Sequence, residues 1–85
     1  MTQKELVGVV KAFQYGILKA KESRQYWAEH EAAFAAGNTV TAEVKQRQAD
    51  TARGEAYGVA QTLALIGGTV NQTKYVAAIY CELGE

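Results

Sequence analysis

Leu6, Val10, Phe13, Ile17, Ala20, Trp27, His30 and Phe34 recur at spacings of three and four, with Ser23 or Arg24 filling the step between Ala20 and Trp27. That is the period of one face of an α-helix, loosened where polar residues interrupt it. Thr2-Gln-Lys-Glu5 ahead of the stripe has the capping-box pattern, in which Thr2 caps the first turn and Glu5 reaches back to it. Gly37 or Asn38 can take the left-handed conformation that ends a helix. The pattern therefore predicts a first helix over about residues 2–36. Thr39 or Thr41 can cap a second, with Glu43 near its positive end. Its stripe is Lys45, Ala49, Ala52, Ala56, Val59, Leu63 and Ile66, again at spacings of four and three, and Gly67-Gly68 stops it, which gives a span of about 42–66. Asn71 is a suitable cap for a short third helix over 72–83, with Val76, Ile79, Tyr80 and Leu83 on one face. The aromatic and β-branched residues of 73–83 also suit a strand. A helix is preferred, because a lone strand would find nothing to pair with.

The expected fold is all-α: a single helical domain over 1–85, built as a long antiparallel hairpin with a short C-terminal helix. Reflection about residues 38 and 39 sets Phe34 near Val44, Trp27 near Ala49 and Ala52, Ile17 near Val59 and Phe13 near Leu63. Bulky residues on one helix then meet small ones on the other, and the alanines make room for Trp27.

Gly54 and Gly58 lie off this alanine stripe, on a neighbouring one with Arg47, Thr51, Thr62 and Leu65. Each glycine costs a helix interior about 1 kcal/mol relative to alanine. A small-xxx-small face lets another backbone approach closely. A first helix of this length spans about 50 Å, whereas a compact domain of this size is about 30 Å across. Either the first helix breaks, at Gly16 or Ser23, or copies of the hairpin pack together. The second reading makes the protein a homo-oligomer, with Thr51, Gly54, Gly58, Thr62 and Leu65 at the interface. The alternative is that both glycines are tolerated surface positions.

Composition narrows the chemistry. Nine basic residues balance nine acidic ones, so no overall field favours nucleic acid. The charge is unevenly placed: residues 1–24 hold Lys4, Lys11, Lys19, Lys21 and Arg24 against Glu5 and Glu22, while 25–43 hold only Glu29, Glu31 and Glu43. Cys81 is the one cysteine, so no intrachain disulfide and no Cys/His zinc cluster can form. No leader-like stretch opens the chain and no apolar run reaches the length of a membrane span, which makes a cytoplasmic protein the expectation.

His30, the only histidine, sits among Tyr26, Trp27 and Phe34 at helical spacings and reads as a packing residue. No serine or cysteine stands where it could be activated, and Glu29 and Glu31 point away from His30 on a helix. No metal, cofactor or enzymatic role is expected. Lys19, Lys21, Arg24 and Arg53, with Tyr15 and Tyr57, form the most suggestive cluster, since arginine forks suit phosphate and a tyrosine face can stack on a base. Between protomers such a cluster would bind a nucleotide or other small anion. The plainer reading is a set of i,i+3 and i,i+4 pairs on solvated helix faces: Lys19 with Glu22, Asp50 with Arg53, Glu43 with Arg47. The segment after Gly67-Gly68 carries Lys74 as its only cation and makes a poor groove reader, so nucleic acid is not expected as a partner. The leading expectation is a non-enzymatic helical protein acting through protein–protein contacts with a macromolecular partner. Its size and lack of motifs are in the general style of bacterial or phage accessory proteins, including inhibitors of host defence. The alternative is an oligomer that sequesters an anionic ligand.

Overall fold

A computed structural model describes the backbone of residues 2–66 and 70–84 and the side chains of 2–65 and 74–84. Three helices follow in order: α1 (Gln3–Ala35), α2 (Thr39–Ile66) and α3 (Val70–Glu82). No strand occurs among the described residues, so the C-terminal segment is a helix. The capping box at Thr2 and Glu5 is formed in both directions. α1 runs through Gly16 and Ser23 without a break.

The connection between α1 and α2 is tighter than the sequence pattern predicts. The Asn38 N–H donates to the Ala33 carbonyl and the Gly37 N–H to that of Phe34, with Gly37 at φ +80°. These two bonds close a helix end around a left-handed residue, where glycine carries no Cβ penalty. Asn38 then starts α2 at once. Its Oδ1 accepts from the Thr41 N–H at 3.1 Å and its carbonyl from Ala42 at 3.0 Å. Neither Thr39 nor Thr41 is the cap; an asparagine already held by the preceding turn is better placed. α3 likewise begins at Val70, so Asn71 lies inside it rather than capping it. The Gly67-Gly68 stop falls outside the described residues.

The hairpin register follows from this short turn. The Ser23 hydroxyl donates to the Ala49 carbonyl at 3.0 Å, and His30 Nδ1 meets the Ala42 carbonyl at 2.6 Å. Both pairs are symmetric about Ala36, not about residues 38 and 39. Ser23 rather than Trp27 faces Ala49. Trp27 is 44% exposed and rests on His30, ring centroids 4.9 Å apart, so it is not the residue for which the alanines make room. Ala42, Ala49, Ala52, Ala56, Ala60 and Leu63 are buried along α2, against Val9, Gly16, Ala20 and Ser23 on α1.

α3 folds back over the half of the hairpin nearest the start of α1. Phe13 and Tyr75 stack at 4.5 Å, Tyr57 and Tyr80 meet at 5.6 Å, and Ile79 is fully buried. The molecule is a rod of 52 × 20 × 15 Å. Its radius of gyration is 15.2 Å, against about 12 Å for a compact chain of this length.

Candidate functional site

The hairpin presents two different long faces, and α3 decides the difference. Gly16 is the notch that admits it. A Cβ there would lie 2.7 Å from Ile79 Cδ1 and 2.9 Å from Val59 Cγ1. Gly54 and Gly58, the glycines that stand out in the sequence, are exposed on the outer surface of α2, where a methyl group added to either would meet no atom within 4 Å. Thr51, Thr62 and Leu65 are exposed beside them, and Thr62 Oγ1 donates to the Gly58 carbonyl at 2.8 Å. The five residues form one open surface strip.

The cationic cluster is divided between the two faces. On the face opposite α3, Tyr15 donates its hydroxyl proton to Glu55 at 2.7 Å, and Lys19 stands 3.1 Å from Glu22 and 3.5 Å from Glu55. The Lys19 ammonium also lies 5.4 Å from the centre of the Tyr15 ring. The hydrogen bond to Glu55 raises the Tyr15 pKa and lowers that of Glu55; the bond to Glu22 raises that of Lys19. This is a self-satisfied network with no cation left over for a phosphate. Further along, the ion pair of Glu29 with Lys45 at 2.9 Å lowers the Glu29 pKa. Lys21 is exposed and joins neither group.

Arg24 and Arg53 lie together on the α3 side. They border a cavity of about 440 Å³ that is also lined by Trp27, by the buried Ser23, Ala49 and Leu83, and by Asp50. Arg24 reaches both the Glu82 carboxylate at 3.7 Å and the Glu82 carbonyl at 3.5 Å. Arg53 donates to the Tyr57 hydroxyl at 3.1 Å and lies over that ring at 5.3 Å. Tyr57 is thus engaged by Arg53 and Tyr80, and Trp27 is the flat surface that actually borders the cavity. The cavity begins where α3 stops. Beyond it the hairpin is two helices thick, and Trp27, Phe34 (67% exposed), Val40 (73%) and Val44 (47%) cluster at that end.

His30 donates from Nδ1 to a carbonyl, which fixes the proton on that nitrogen, and its ring lies between Trp27 and Phe34. No group of three or more His, Cys, Asp or Glu residues among the described residues could hold a metal ion. No helix among them is long and apolar enough to cross a membrane. Compared with protein-family models, with curated proteins and with solved structures, the chain matches none.

Two features of the surface are hidden from sequence reasoning. Gly16 reads there only as a possible break, because nothing in a one-dimensional pattern reveals that another helix crosses at that point. The outward row on α1 that includes Leu18 is masked, because the inward stripe dominates the periodicity.

Proposed function

We propose that this is a non-catalytic helical binding protein of the accessory type, acting in the cytoplasm, which presents the uncovered tip of its hairpin to a macromolecular partner. One observation carries the reading. Trp27, a large ring, stays 44% exposed at the mouth of the groove where α3 ends, in line with the exposed Phe34 and Val40. Half-exposed aromatics beside a groove are the anchors that interfaces use most, since a partner can complete their burial. The test is site-specific photo-crosslinking in the cells that make the protein, with the reactive group at Trp27, at Phe34 or at Lys21 as control. One protein joined from both tip positions and absent at Lys21 is the expected result. Equal labelling from all three positions would contradict the reading.

The cavity between Arg24 and Arg53 supports a second reading, a small anionic ligand with a flat ring lying on Trp27. The two arginines are offset there by Asp50 and Glu82, so the cavity lacks the net positive charge that favours an anion, and this reading takes second place. A thermal-shift panel of nucleotides and phosphorylated metabolites on wild type and on the Arg24→Ala/Arg53→Ala variant tests it. A compound that raises only the wild-type midpoint would reverse the order of the two readings.

A further inference from the structure

The exposed side of α1 carries a pattern that reads the same from both ends. Lys4 and Glu29, Lys11 and Glu22, and Tyr15 and Leu18 are each placed symmetrically about the point between Gly16 and Ile17. Gly8 and Gln25 share that centre. Spacings alternate between four and three from Lys4 to Glu29, so these residues form one row on the helix, away from α3. Tyr15 is 47% exposed and Leu18 52%, while Lys4 and Lys11 are exposed and form no ion pair among the described residues.

From this row we propose that the partner on the face opposite α3 is a second copy of the same chain, with the two α1 helices antiparallel and related by a twofold axis. In a twofold contact, whatever residue i meets on its partner, that residue meets i in return. Laid antiparallel about the centre of the row, Lys4 of each copy faces Glu29 of the other, and Lys11 faces Glu22. Both glutamates already pair with a lysine of their own chain; in Glu29 the paired Oε2 is buried, and Oε1, which accepts from Gln25 at 3.3 Å, has a second lone pair for another cation. Tyr15 and Leu18 meet at the axis. Gly8, which has empty space at its Cβ position, faces the longer Gln25. A parallel pairing would instead set lysine against lysine and glutamate against glutamate. Beside Tyr15, a groove of about 340 Å³ lined by Ala12, Gly58, Val59 and Thr62, with the Glu55 carboxylate held by Tyr15 and Lys19, offers room for side chains that meet at the axis.

The rod has surface to spare. The chain exposes 5605 Å², whereas a compact protein of its 9.2 kDa mass exposes about 4,900 Å². The excess of about 700 Å² is close to the roughly 800 Å² that each partner buries in a standard interface. The pairing leaves α3 and the Trp27 groove on the outside, so it is independent of the proposed partner at the tip. Charges of this kind fix orientation and register, and the apolar centre supplies the attraction.

Sedimentation equilibrium of the full chain tests the proposal. The wild type should weigh twice 9.2 kDa at micromolar concentration and dissociate more readily at high salt. Lys4→Glu/Lys11→Glu and Glu22→Lys/Glu29→Lys should each weaken self-association at least tenfold. Mixed together they should pair with one another, because every seam contact is then attractive. Recovery on mixing separates the seam from simple misfolding. A wild type that stays at 9.2 kDa, or two charge variants that fail to pair with each other while circular dichroism shows both folded, would overturn it.

Discussion

Gly16 shows how much can depend on one missing methyl group. A glycine inside a helix costs stability through backbone freedom, so most helical Gly→Ala changes should stabilise by up to about 1 kcal/mol. That is the expectation for Gly54→Ala, where nothing lies within 4 Å of the added atom. Gly16→Ala should do the reverse. The new atom meets Val59, whose branched side chain is stiff in a helix, and Ile79, which is fully buried. Overpacking of this kind typically costs about 1–3 kcal/mol, which exceeds the propensity gain. Paired chemical-denaturation curves on the two variants would check the opposite signs. Trp27→Ala belongs to the same scale. A buried tryptophan replaced by alanine costs about 3–5 kcal/mol. Trp27 is 44% exposed, so its loss should cost well under that range while removing binding at the tip. Ser23, in contrast, is buried with its hydroxyl on a neighbouring helix, and Ser23→Ala should cost about 1 kcal/mol.

At the level of elements, α1 and the start of α2 are readable in the sequence because their ends carry punctuation, the Thr2 capping box and the Gly37-Asn38 turn, with an apolar period between them. The alanine line of α2 is also readable, and Ala49, Ala52 and Ala56 are buried as the stripe requires. The register is not. Asn38 ends one helix and starts the next, so the turn is shorter than two separately capped helices would need, and Trp27 shifts from the core to the rim. The site shows the same limit. Arg24 and Arg53 line one cavity, but the sequence pattern cannot say that Lys19 and Tyr15 lie around the other side of the rod. Ile79 is the fully buried residue among those described in α3, so Ile79→Ala should cost about 2–5 kcal/mol and raise hydrogen exchange in α3 before the hairpin.

The ion pairs across the hairpin give stability a dependence on pH with a defined sign. Glu29 and Glu55 are held below the ordinary value of 4.5, so their contribution is present above that value and is lost as pH falls through the lower folded one. Lys19 and Tyr15 are held above 10.5 and 10.0, so theirs is present below those values and is lost as pH rises past them. Thermal melts should therefore be level through neutral pH and decline on both sides. Lys45→Met/Glu29→Leu should flatten part of the acid decline.

The whole molecule is a rod whose two long faces differ. One is filled by α3 through the notch at Gly16; the other carries the self-complementary row on α1, the proposed seat of a second copy. The rod shape follows from α1 running unbroken from Gln3 to Ala35. A single chain of this size cannot fold compactly around a helix that long, so surface is left for other molecules to cover. The most direct measurement is the distance between spin labels at the tips of two associated copies, with Thr39→Cys labelled in a Cys81→Ser background. At 1.5 Å per residue, antiparallel α1 helices centred between Gly16 and Ile17 put the two tips about 50–60 Å apart. A distribution centred there is the predicted result. A tip-to-tip distance below about 25 Å, the value for a parallel pair of helices lying about 10 Å apart, would contradict the account.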